Sequence, residues 1–403
     1  MKRFVLLLLS TILLGCTTSP SPVLPPVELT SIEDPLIVRT NWTSVIGSGV
    51  AEKYLKLQPV FDGDTGYVAD HKGYTRAFDV KTGNIKWEIQ LETPIASGPA
   101  LVENKLLFGT SQGEVIARSL HDGSEIWRVE VSSEVLALPT GTNGVIVIRT
   151  VDGRVYGMEA ASGKSIWIYD RTVPLLTLRG ISTPVIHNDI VIVGSDSGKL
   201  AALTLKTGTV LWETQIADPK GRTELERMVD IDVQPVVIDD VVYVVTYQGR
   251  LATVQLQSGR MMWARDISSY SGIALDPYRV YISDVESQVW ALNRFTGATL
   301  WRQDKLLRRA ITGPVLQGPY LVVADYDGYV HWLKREDGRI IARKRVNELW
   351  HEELEDNLDK DEEKFTKANN ILVAPQDIAS MILVMDRMGH IAVSYTHLRA
   401  HET

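Results

Sequence analysis

Several spacings in this chain could do chemistry. Gly109-Thr110-Ser111-Gln112-Gly113 fits the G-x-S-x-G pattern of a serine nucleophile. That chemistry needs a strand-to-helix turn that lifts the hydroxyl clear of the sheet. Asp62-Gly63-Asp64 and Asp325-Tyr326-Asp327-Gly328 offer carboxylate oxygens of the kind that bind calcium, but neither has the downstream Glu of an EF-hand loop. The eight His residues show no H-E-x-x-H and no paired ligand spacing. Each motif must therefore be judged by the element that holds it.

Those elements repeat. A Gly is followed four residues later by Trp at Gly83/Trp87, Gly123/Trp127, Gly163/Trp167, Gly208/Trp212, Gly259/Trp263 and Gly297/Trp301, and by Ala at Gly338/Ala342. The steps are 40, 40, 45, 51, 38 and 41 residues. A period near forty means one supersecondary unit stacked many times. Within it, residues 99–102, 105–110, 114–120 and 125–131 read as four short strands with two-residue alternation, separated by Gly and Asx turns. Four antiparallel strands per repeat make one blade of a β-propeller. The G-x-S-x-G then falls on a turn between strands, where the fourth repeat has Gly194-Ser195-Asp196-Ser197-Gly198. The Asp-Gly pairs sit at turns that favour those residues anyway. The recurring Trp reads as packing between neighbouring sheets, and Ala342 implies a looser junction at its own place.

Glycines before the third strand fall at Gly73, Gly113, Gly153, Gly198, Gly249, Gly328 and Gly389, with Ser287 in the sixth place. That predicts eight blades. Fourth strands number seven; the eighth is supplied by Trp42 in residues 40–46. The expectation is an all-β, eight-bladed propeller over residues 40–393 whose N-terminal strand closes the last blade. Closure leaves no open terminal sheet.

Residues 1–15 are a different object. Lys2-Arg3 precedes an apolar run over residues 4–14. That run is too short for a bilayer, which takes about 20 residues. It ends in Leu13-Leu14-Gly15-Cys16, and Cys16 is the only cysteine. This resembles the lipobox of bacterial lipoproteins, which implies a cleaved signal peptide, a lipid on Cys16 and, with Thr17 next, the outer membrane. Residues 17–35 carry Pro20, Pro22, Pro25, Pro26 and Pro35 and read as an extended tether. The net charge of −8, with no basic patch, argues against nucleic acid and against an anionic lipid surface as partners. The membrane would be reached through the lipid anchor only.

Function on a propeller sits in the connections. The surplus length falls between blades at residues 169–181 and 217–233. Equivalent connections of successive blades emerge side by side, so one patch should carry Leu175, Leu176, Leu178 and Arg179 beside Asp230 and Asp232. Apolar anchors with an Arg and carboxylates suit a protein-binding hot spot. The other reading, that the leucines tuck under the loop and Arg179 pairs internally, stays open on these residues alone.

Two resemblances bear on the choice. Residues 202–212 (ALTLKTGTVLW) and 291–301 (ALNRFTGATLW) resemble the tryptophan-docking motif of quinoprotein dehydrogenases. That implies, as an alternative, a periplasmic pyrroloquinoline-quinone enzyme. With one cysteine the chain lacks the adjacent Cys pair of many such enzymes. Taken together, the lipobox, the Pro-rich tether, the eight blades, Leu176-Thr177-Leu178-Arg179-Gly180 and Asp230-Ile231-Asp232 are similar to the BamB family, lipoprotein subunits of the outer-membrane β-barrel assembly machinery. That resemblance implies a non-catalytic scaffold without cofactor, docked through the residues matching Leu176, Leu178, Arg179, Asp230 and Asp232 onto a periplasmic POTRA domain of BamA, among the other subunits of the complex. Two stretches depart from it. Residues 347–370 form an acidic insert that reads as a solvated helix with i,i+4 pairs. Residues 394–403 (SYTHLRAHET) drop the strand alternation and resemble adapter read-through rather than a native end.

Overall fold

The computed structural model describes residues 24–50, 53–171, 173–174, 176–178, 182–346, 371, 373–378 and 380–396. Cys16, the signal segment 1–15, Leu175, Arg179 and the insert 347–370 lie outside the described residues. Those that are described form eight four-stranded antiparallel sheets. Blade one is Val60–Asp62, Thr65–Ala69, Tyr74–Asp79 and Ile85–Gln90, paired in that order. Blades two to seven repeat it, ending in outer strands Glu125–Glu130, Ser165–Tyr169, Val210–Gln215, Met261–Arg265, Thr299–Gln303 and Ile340–Arg345. Blade eight joins Gln376–Ile378, Met381–Met385 and His390–Thr396 to Val38–Val45 from the N-terminal side. The ring therefore closes as the repeat count requires. The third strand of that blade runs past residue 393, with Ser394, Tyr395 and Thr396 opposite Thr40, Arg39 and Val38.

The second and third strands are buried on both faces, which is why Val145–Arg149 (VIVIR) and Ile190–Gly194 (IVIVG) are almost continuously apolar. Outer strands alternate, as in Ile85–Gln90. Within each blade from one to six the Trp stands opposite a small residue of the third strand: Ala77, Ala117, Gly157, Ala202, Thr253 and Ala291. Between blades, the Trp indole N–H donates to a carbonyl three residues before the next blade's turn glycine. Trp42, Trp87, Trp127, Trp167, Trp212, Trp263 and Trp301 do so at 2.7–3.1 Å. Each receiving glycine, from Gly83 to Gly338, has φ between +66° and +75°. A methyl group there would come within 2.5–3.0 Å of the indole.

The junction at Ala342 is not loose, contrary to the expectation. The large and small members of the pair have changed places: Trp332 on the third strand faces Ala342 on the outer one. Trp332 is 1% exposed and donates to Gln317 Oε1 at 2.8 Å. Leu36 and Val38 cover the same cluster.

The Pro-rich segment also differs from a free spacer. Val27 N donates to Leu307 O at 3.1 Å and Leu36 N to Ile341 O at 2.8 Å. Arg308, Arg309 and Arg343 donate to the carbonyls of Pro25, Val27 and Thr30. Leu29 packs with Leu306 and Ile311. Proline set the extended backbone, but Val27, Leu29, Ile32 and Leu36 gave it an apolar side to bury.

The joints set the stability. Trp167→Ala should cost about 3–5 kcal/mol, the usual loss for a deleted core indole. Trp167→Phe should cost about 1–3 kcal/mol, because it strands the Leu205 carbonyl. Urea midpoints of the two variants and the wild type check the order; a Trp167→Phe midpoint equal to the wild type's would remove the indole hydrogen bond from the account.

Candidate functional site

The propeller has two faces. Turns before the third strands and connections between blades share one of them, since Leu91 N, Val131 N, Ile216 N and Val346 N donate to Gly73, Gly113, Gly198 and Gly328 carbonyls. The two long connections emerge on that face, after blades three and four.

The second connection is stitched into the scaffold at its end. Ile231 is fully buried and wedges against Gly194, where an added Cβ would lie 2.3 Å from it. Ile231 N donates to Ser195 O at 3.1 Å, and Tyr247 N to Asp230 O at 2.9 Å. Ser182 Oγ donates to Val233 O at 3.1 Å. This wedge carries its neighbours inward. Asp230 is 0% exposed and Asp232 8%. The Asp230 carboxylate accepts the backbone N–H of Leu178 from the first connection. Asp232 lies 3.9 Å from the Lys56 ammonium.

The structure thus brings Leu178, Asp230 and Asp232 together. It does not present the two carboxylates at the surface, where the sequence reading set them as contact groups. Asp230 instead ties one connection to the other. Leu178 lines a cavity of about 710 Å³ with Tyr54, Lys56, Asp232, Tyr247 and Tyr270. Leu176 is the exposed anchor, at 42%. Leu225, on the second connection, was missed; it is 61% exposed. Its signal was a single large aliphatic side chain in the polar run 222–227. Thr223 and Glu226 hold that tip in a capping turn, the Glu226 carboxylate accepting from Arg222 N and Thr223 N at 2.7 and 3.1 Å.

Burial raises the Asp230 carboxyl to about 7; the Asp196 and Asp232 charges add to the rise, and the Leu178 N–H opposes it. Burial also lowers the Lys56 ammonium, against the pull of Asp232.

The other candidate chemistry is absorbed by structure. Ser111 sits in a hairpin turn whose Gln112 and Glu114 amides donate to Thr110 Oγ1. Asp325 accepts from Arg309 Nε at 2.7 Å and lies 3.0 Å from His331. Asp64 pairs with Lys81 at 2.9 Å. Among the described residues, no three His, Cys, Asp or Glu side chains are grouped to hold a metal ion.

The chain is an eight-bladed β-propeller with tryptophan joints, elaborated on one connecting face. A quinohemoprotein alcohol dehydrogenase from Comamonas testosteroni shares the fold, at a TM-score of 0.67 and 12% identity over 91% of this chain and 78% of that one. The chain itself belongs to the BamB family: the family model for outer membrane protein assembly factor BamB matches residues 71–303 and 285–358. The outer membrane protein assembly factor BamB of Pseudomonas aeruginosa is 43% identical over 346 residues, 86% of this chain and 91% of that protein. The crystal structure of BamB from Moraxella catarrhalis matches at a TM-score of 0.76 and 26% identity, covering 89% of this chain and all of that one.

The Asp230 carboxyl gives a pH signature. Its value rises from the ordinary 3.8 to about 7 on folding, so between those values the fold holds a proton that the unfolded chain has lost. Stability contributed by this group therefore falls as pH rises through that window. Asp230→Asn keeps an acceptor for Leu178 N–H but cannot titrate. The wild-type thermal midpoint should fall relative to the variant's between about pH 4 and about pH 7; parallel curves would show an aspartate ionised throughout.

Proposed function

We propose that this chain is a non-catalytic scaffold of outer-membrane protein assembly, lipid-anchored through Cys16 on the periplasmic face of the outer membrane. Its partner is a periplasmic POTRA domain of BamA, received on the connections 175–179 and 217–232. The observation that carries this reading is the tie from Leu178 to Asp230. It fixes two adjacent connections as one platform, with Leu176 and Leu225 exposed on it. A platform held before binding loses less conformational freedom on docking. The roles divide accordingly. Leu176, with Leu175 and Arg179, meets the partner. Leu178 lines the cavity beside it, and Asp230 and Asp232 hold the loops. The family supplies the context, since its members are named assembly factors.

Leu176, Leu178 and Arg179 changed together to Ala should abolish capture of BamA from solubilised envelopes, with circular dichroism unchanged. Capture at wild-type strength would put the partner elsewhere. Asp230→Asn alone should weaken capture less than the triple change, because it removes a charge from the loop's support and no side chain from the contact.

The dehydrogenase alternative has the fold in its favour and the residues against it. Asp325, the most buried carboxylate of the candidate calcium turns, is already committed to Arg309 and His331. Pure protein given pyrroloquinoline quinone and calcium should reduce no dye with alcohols or sugars. Saturable turnover would overturn the scaffold reading.

A further inference from the structure

The docked N-terminal segment has a direction. It begins at the connecting face, where Pro25 O and Val27 meet Arg308 and Leu307, in the connection that follows the outer strand Thr299–Gln303 of blade six. It runs down the outside of blade seven, past Arg343, to Leu36 beside Ile341. The chain then turns into Val38–Val45, whose far end returns to the connecting face, where Ile46 N donates to Gly389 O. Val38 therefore lies at the opposite face from Leu24. Charge supports the docking. Glu33 and Asp34 share a hollow of about 840 Å³ with Lys305, Lys334, Arg339 and Arg343.

We propose that this docked strap turns the connecting rim of blades six and seven toward the bilayer and holds it there on a short leash. The proposal rests on lipid attachment at Cys16. Eight residue steps separate Cys16 from Leu24, and at ~3.3–3.6 Å each they reach at most about 29 Å. With the strap undocked, the free chain would extend from Cys16 to Val38, a reach of about 75 Å at the same rise per residue. Its root would then be on the other face. Docking thus sets both the height and the facing of the propeller. No basic patch is needed, because the tether and not surface charge imposes the orientation. It also places the platform of Leu176 and Leu225 on the same face as the anchor.

The test uses the lipidated full chain on phosphatidylethanolamine–phosphatidylglycerol vesicles carrying a headgroup quencher. A fluorophore is placed through Asp304→Cys on the rim, where Asp304 is exposed, or through Tyr278→Cys on the opposite face, where Tyr278 is 70% exposed. The Asp304 probe should be quenched several-fold more than the Tyr278 probe. Leu29→Ser with Arg308→Ala and Arg343→Ala should erase the difference. If that variant fails to fold, a Gly-Ser insertion after residue 23 lengthens the leash without touching the propeller and should reduce the difference as well. Equal quenching of the two probes in the otherwise native chain overturns the orientation. So does a difference that survives both the released strap and the lengthened leash. A chain that does not float with the vesicles overturns lipid attachment itself, and this inference with it.

Discussion

Seven indoles, among the described residues, each lock two blades by one geometry, and the rest of the molecule is arranged around that lock. The ring lies on a glycine with positive φ, where a side chain would collide with it. The indole N–H satisfies a turn carbonyl that would otherwise be buried without a donor. In six of the seven a small residue on the third strand leaves room for the ring from behind, while Val393 stands opposite Trp42. In blades one to six three positions in two blades agree. This explains why glycine and tryptophan keep their spacing while the strands between them vary freely among Val, Ile, Leu and Ala.

The lock cannot be made at the eighth place. Its receiving turn would join the third and fourth strands of blade eight, and the fourth strand there comes from the N-terminal side of the chain. An indole at position 342 would have no turn to meet. The chain answers by moving the bulk inward, to Trp332, and by laying Leu36 and Val38 over the seam. The strap is therefore part of how the ring closes. Its hydrogen bonds to Leu307 and Ile341 continue the work that the turn does elsewhere.

The repeat made most of this legible in the sequence. Strand pattern and blade number are local and periodic, so residues 73–389 announced them. The exchange of Trp332 for Ala342 was also written there, but it required reading two strands as one pair. The docking of residues 24–36 was hidden by composition. Proline suggests a spacer, whereas the deciding feature is a run of apolar residues set to one side. The platform was half legible. Surplus length located both connections, since length is a property of one strand gap at a time. The burial of Asp230 was not legible, because it follows from Ile231 wedging against Gly194, a contact between two blades that no spacing along the chain expresses.

That contact also accounts for how a rigid ring can hold a usable loop. The locks fix the blades, so variation is confined to the connections, and a connection left to itself would be mobile. Here the second connection is anchored by an apolar wedge, and the wedge forces an aspartate out of water. An aspartate without water needs donors, and the nearest available one is the backbone amide of the first connection. The anchored second connection therefore holds Leu178 of the first. The cost is a carboxyl displaced to about 7 in a buried pocket that also holds Asp196 and Asp232 charges. A sheet contact would hold the loops at lower electrostatic cost, but it would consume the backbone groups of both connections and flatten them onto the ring. A single buried acceptor joins the two connections at Leu178 and Asp230, with Leu176 and Leu225 left exposed.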